Sequence, residues 1–272
     1  MSQPWNPDFA ERAPMFEPLR AAARELRTPF WPGCDDLNRI VELQREPILT
    51  ADGKPLRFVE QPLRQAAFED KYEPRIFLRG EVQLRSCNWH DLLNALVWLT
   101  FPRAKAALNG RHYSELERQQ ASGAPNRGPA QDALTLFDEG GVIVAVAEPA
   151  LGELLRGFEW KELFWRRRPE VVRSMRFCLF GHALYEKALA PFVGVTGRGV
   201  ILDVAEDFFA MPLAQQLAEL DARVAGHIGD PARLVTTREL APVPVLGVPG
   251  WCADNEREGY YDNLAYFRPP PR

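Results

Sequence analysis

Two histidines, His90 and His112, stand in a stretch where polar side chains interrupt otherwise apolar sequence. An imidazole titrates near neutral pH, so it can serve as a general acid or base. Asp91 lies next to His90 and is a candidate to orient it. Asn94 follows one helical turn later. Lys105 and Arg127 are candidate clamps for an anionic group, Arg127 with bidentate geometry. Asn109, Asp132 and the loop residue Asn126 complete the polar set.

The helix that would carry the first group is expected to begin after Asn88, a candidate cap, and to run to Phe101-Pro102. At about 100° per residue, His90, Asp91, Asn94 and Trp98 share one sector of about 100°. Leu92, Leu93, Ala95, Leu96 and Leu99 occupy most of the remainder. Such a helix is buried, and its polar stripe must find partners, since an unpaired buried polar group costs about 1–3 kcal/mol. Pro102 suits the first position of a second helix over residues 103–112. There Lys105, Asn109 and His112 recur at helical spacing on one face. A fold-back at Phe101-Pro102 would let both stripes line one cleft. The competing interpretation is a structural network of satisfied polar groups. Asp138 and Glu139 read individually as turn residues.

These features support a hydrolase-like or transferase-like enzyme acting on a small anionic substrate, phosphoesters included. His90 or His112 would be the acid/base and Asp91 the orienting carboxylate. Asn94, Lys105, Asn109, Arg127 and Asp132 would contact substrate. The alternative is a binding or adaptor protein using residues 158–176, where Trp160, Phe164 and Trp165 interleave with a run of arginines, to contact nucleic acid or a protein. No HExxH and no CxxC occurs, so no metal site is assigned, and the sequence names no cofactor. Gly194–Gly199 resembles a phosphate loop in composition only. It precedes a strand, whereas phosphate loops open a helix. His182 falls on an apolar seam of a helix expected over residues 169–190 and reads as a core histidine. Gly181 beside it would permit close approach of another backbone.

The net charge of −4 disfavours a globally basic nucleic-acid binder. Four scattered cysteines fit a reducing cytoplasm. The N-terminus has neither the basic nor the apolar region of a signal peptide, and the longest apolar stretch is about half the roughly twenty residues needed to cross a bilayer. No membrane role is expected.

The expected class is α+β: a single domain with a mainly helical core, a few antiparallel hairpin strands and a C-terminal tail rich in Pro and aromatics. Residues 1–34 are expected as an extended arm wrapping over the core, with a short helix around Phe16–Leu26, and 35–272 as the globular domain. Expected hairpins are residues 48–59, turning at Asp52-Gly53, and 133–147, turning at Asp138–Gly141. Residues 71–87 and 118–131 read as loops. Further helices are expected at 149–156, 159–167 and 212–225, and a strand at 199–203.

Four blocks are distinctive in combination: NWHDLLNALVWLTFPRAKAALNGRH (88–112), DALTLFDEGGVIV (132–144), FGHALYEKAL (180–189) and VLGVPGWCADNEREGYYDNLAYFR (245–268). They are similar to a bacterial family known only as domain of unknown function 3025, from about residue 35 onward. Cys252 departs from the pattern, standing where a second aromatic would follow Trp251. The resemblance implies a cytoplasmic, proteobacterial-type protein of this size. It implies no activity, cofactor or catalytic residue.

Overall fold

The computed structural model describes residues 4–62, 67–123 and 127–270; Asn126 lies outside them. The chain folds as an α+β domain. Its helices are α1 (Arg20–Glu25), α2 (Cys34–Glu42), α3 (Tyr72–Arg79), α4 (Trp89–Thr100), α5 (Pro102–Ser122), α6 (Pro129–Gly140), α7 (Pro149–Arg156), α8 (Arg168–Ser174), α9 (His182–Ala188) and α10 (Leu213–Gly229). Strands β3 (Gly141–Val146), β4 (Met175–Leu179), β5 (Thr196–Asp203) and β6 (Ala241–Pro244) form a sheet in the order β4-β3-β5-β6. Strand β3 runs antiparallel to β4 and parallel to β5, and β6 runs antiparallel to β5. A separate parallel pair joins β1 (Arg57–Glu60) to β2 (Glu81–Leu84). No helix among the described residues is long and apolar enough to cross a membrane.

Strand β3 reads GVIVAV and every residue of it is buried. A central strand covered on both faces requires such a continuous apolar run. The 133–147 hairpin does not form. Its first half is α6, started by Pro129 and facing the core with Ala133, Leu134 and Phe137. Alternation at Ala133, Thr135 and Phe137 imitated a strand, but the helical spacing is the one that buries these side chains. Gly140 and Gly141 do not turn a hairpin either. The helix passes directly into β3, and Gly141 has φ −65. A Cβ on Gly141 would lie 2.3 Å from the Phe137 carbonyl oxygen, so close packing is what demands glycine there.

The long helix expected over 169–190 is also broken. Met175–Leu179 is β4, paired with β3, and the chain re-enters a helix only at His182. The seam at spacing four and three was compatible with both periods, because Met175, Phe177 and Leu179 also alternate. Residues 71–87 hold α3 and β2 rather than a loop, and α5 continues to Ser122, nearly three turns past its expected end. At 48–59 only an isolated antiparallel bridge, Leu49 to Pro55, forms, and residues 57–60 pair with β2 instead. The short helix expected around Phe16–Leu26 forms, and the N-terminal segment packs onto the core. A 3-10 turn at Pro14–Leu19 and α1 bury Met15, Phe16, Leu19 and Ala23 against the same core as the remainder.

The first turn of α5 has no cap of its own. Asp221, on α10, accepts the Arg103 and Ala104 N–H groups at 3.0 and 2.8 Å. Burial pushes its carboxyl up to about 6, against these two hydrogen bonds. Asp221→Ala is expected to destabilise the fold by about 1–2 kcal/mol in urea denaturation, the usual worth of a lost N-cap. A change below a few tenths would show that water replaces the carboxylate.

Candidate functional site

Asn88 accepts the Asp91 N–H at 3.1 Å and fixes the start of α4. His90 and Asp91 therefore occupy the first turn, with Asn94 one turn on. Phe101-Pro102 turns the chain into α5, whose inner face carries Lys105, Asn109 and His112. Both stripes do meet at one cavity of about 380 Å³. Its wall includes His90, Asp91, Asn94 and Arg127, with His112 and Leu116 from α5. Helix α6 adds Gln131, Thr135, Asp138 and Glu139, and Tyr72, Glu73, Arg85 and His182 complete the lining.

Not every expected residue reaches the wall. Lys105 is 4 % exposed and is ion-paired beneath it to Asp138, so it is no anion clamp. Asn109 holds Glu73, donating to its carbonyl at 3.0 Å and its carboxylate at 2.6 Å. Asp132 is exposed and does not line the cavity; its neighbour Gln131 does. Asp91 does not orient His90. Its carboxylate accepts from Arg85 through the backbone N–H at 2.7 Å, Nε at 2.9 Å and Nη2 at 2.8 Å.

The group that does orient His90 is Glu186, on α9. Its carboxylate lies 3.0 Å from His90 Nδ1. On the other side of the ring, His90 Nε2 meets His182 Nε2 at 3.0 Å. An ionised carboxylate only accepts hydrogen bonds, so Glu186 places the proton of neutral His90 on Nδ1. Nε2 of His90 is then the acceptor, and His182 must donate from its own Nε2. This leaves His182 Nδ1 as a bare lone pair. It is buried, without a hydrogen-bond partner among the described residues, and 3.9 Å from Asp138.

Gly181 makes this arrangement possible. A Cβ there would sit 2.4 Å from both the Glu139 carbonyl oxygen and the Gly141 nitrogen. Only glycine lets the start of α9 abut the end of α6, and that contact places His182 beside Asp138. Burial disfavours ionisation of Asp138, but Lys105 and then His182 outweigh it and hold the carboxyl below its ordinary range. Burial pushes His182 down to about 4, although Asp138 opposes the shift. His182 is therefore neutral across the physiological range.

That depression has a stability consequence. Between pH 4 and 6.5 the unfolded chain binds a proton at this histidine and the folded chain does not. Stability from His182 is thus complete above its unfolded value and is lost as pH falls toward 4, by up to about 3 kcal/mol. Asp221 acts oppositely in part of this window. The check is the difference between wild type and His182→Gln in urea midpoints across pH 4–7. The wild type should lose ground as pH falls; parallel curves would refute the depressed value.

The expected aromatic-basic face at 158–176 is largely used internally. Trp160 is buried and donates from Nε1 to the Arg268 carbonyl at 2.7 Å. Arg166, Arg167, Arg168 and Arg173 pair with Glu162, Glu170, Glu256 and Glu148.

On a single long helix over 169–190, His182 reads as a core histidine and Glu186 carries no signal, which is why neither was assigned to the site. The signal available was FGHALYE itself: a glycine and a histidine at a helix start, with a carboxylate one turn on. Among the described residues, no group of three or more His, Cys, Asp or Glu is placed to hold a metal ion. No curated protein and no solved structure matches the chain. Residues 56–271 match the family described as "Protein of unknown function (DUF3025)", and the chain belongs to that family.

Proposed function

We propose that this is an acid–base enzyme, hydrolase-like or transferase-like, acting on a small anionic substrate in a reducing cytoplasm. The observation that carries this reading is the chain Glu186–His90–His182, whose last residue lines the cavity and has a buried ring nitrogen without a hydrogen-bond partner among the described residues. Such a chain can move a proton in a defined direction. His182 Nδ1 takes a proton from an attacking hydroxyl or water, whose oxygen pair forms the new bond. The Nε2 proton of His182 passes to His90 Nε2. His90 becomes an imidazolium paired with Glu186 nearer the solvent. The reverse transfer returns the proton to the leaving group as its bond breaks.

Anion binding falls to Arg127, which is exposed on the wall and has no ion-pair partner among the described residues. The carboxylates Asp91 and Asp138 are neutralised by Arg85 and Lys105, so they repel an anion less than their number suggests. The alternative, nucleic-acid or protein binding through residues 158–176, draws less support because its arginines already have carboxylate partners.

The test is turnover of chromogenic phosphate esters, carboxylic esters and anilides by the purified protein. At least one class should be hydrolysed, and His90→Gln should remove that activity while leaving the melting transition cooperative. Hydrolysis of none, or activity indifferent to His90, would refute the reading.

A further inference from the structure

The cavity is polarised from end to end. Its floor is short of hydrogen-bond donors. Asn94 is 7 % exposed and His182 6 % exposed, and both line the cavity. Asn94 spends its amide Nδ2 on the Tyr72 hydroxyl at 2.5 Å, and its Oδ1 has no partner among the described residues. His182 Nδ1 has none either. Buried polar atoms are rarely left unpaired, so two orphaned acceptors in one wall point to something that donates to them. Glu139, at the same end and without an ion-pair partner among the described residues, adds negative potential there.

The opposite end carries the opposite chemistry. Arg127 stands just before α6, whose last turn holds Asp138. From Pro129 to Asp138 the helix rises about 14 Å. The other two cations near the wall are already engaged, Arg85 by Asp91 and Lys105 by Asp138. Leu116, one turn beyond His112 on α5, gives the wall an apolar element.

We infer that the ligand of this cavity has an N–H-bearing head, an amine or a carboxamide, seated against Asn94 Oδ1 and His182 Nδ1, and an anionic tail held by Arg127 about one helix length away. This deepens the acid–base reading and rests on it for one point: the end nearest the imidazoles, and so the reacting end, is the nitrogen-bearing one. An anion presented directly to the floor would face orphaned acceptors and the Glu139 carboxylate, and would be rejected.

Matched linear probes test this by calorimetric titration of the intact protein. ε-Aminocaproate and the monoamide of adipic acid carry both a donor head and a carboxylate; caproate, adipate and hexylamine lack one or the other. The first two should bind at least about fivefold tighter than the other three, the scale of one satisfied buried hydrogen bond. Asn94→Leu should erase the advantage of ε-aminocaproate over caproate without weakening caproate. Arg127→Gln should weaken every carboxylate probe and leave hexylamine unchanged. Adipate or caproate binding as tightly as ε-aminocaproate overturns the inference, as does a set in which no probe binds at millimolar concentration. If Asn94→Leu does not fold, the wild-type ranking decides alone. Because these are affinities, a failure here leaves any His90-dependent turnover intact, and a failure of turnover leaves the ranking readable.

Discussion

Lys105→Met is expected to destabilise the protein by about 3–5 kcal/mol, a substantial part of a typical domain's stability. Lys105 is almost wholly buried, and its ammonium is paired with Asp138, whose side chain is only 13 % exposed. Removing the lysine leaves a buried carboxylate that no other Lys or Arg among the described residues ion-pairs. Its pKa must then rise, because burial, the largest influence on Asp138, is no longer opposed by Lys105. The variant should therefore recover part of its stability as pH falls and Asp138 takes up a proton. The double variant Lys105→Met with Asp138→Leu should regain most of the loss, since a well-packed apolar pair often matches a buried ion pair. Chemical denaturation with an unchanged slope is the appropriate measurement. A loss below about 1 kcal/mol would mean that water solvates Asp138 and that the floor is wetter than its burial indicates.

The second large effect concerns chemistry. His182→Gln is expected to lower kcat/KM by about 10²–10⁴, the range for removing a positioned acid/base. The glutamine can still meet His90 but carries no titratable lone pair. Glu186→Ala should cost less, because it leaves both rings in place and removes only what fixes the proton of His90 on Nδ1. Its signature should be a displaced pH profile rather than a lost one. Equal losses in the two variants would mean that Glu186 itself touches substrate.

Much of the local architecture was legible. The Asn88 cap, the apolar body of α4, the corner at Phe101-Pro102, α7, β5 and α10 all follow from periodicity and punctuation. So did half of the cavity: His90, Asp91, Asn94 and His112 sit on helices whose inner faces can be projected from spacing. The missing half is tertiary. Glu186 and His182 are 96 and 92 residues from His90, and nothing local links them. The stretches misread as hairpin and long helix share one cause. Short apolar runs such as Ala133–Phe137 and Met175–Leu179 satisfy both periods, and only sheet pairing and burial decide between them. Gly181 was recognisable as a site of close approach, but not which backbone would approach it. The roles expected of Lys105 and Asp91 changed because their partners, Asp138 and Arg85, had been placed respectively in a hairpin turn and a loop.

The proposed proton transfer depends on a bare Nδ1 on neutral His182, a residue that lines the cavity. Nitrogen-15 NMR of the histidine side chains in the intact protein tests it most directly. At neutral pH, His90 should carry its proton on Nδ1 and His182 on Nε2, with the His182 Nδ1 resonance at the position of an unprotonated nitrogen down to about pH 5. A proton found on His182 Nδ1, or a His182 ring titrating near 6.5, would rule out this proton arrangement.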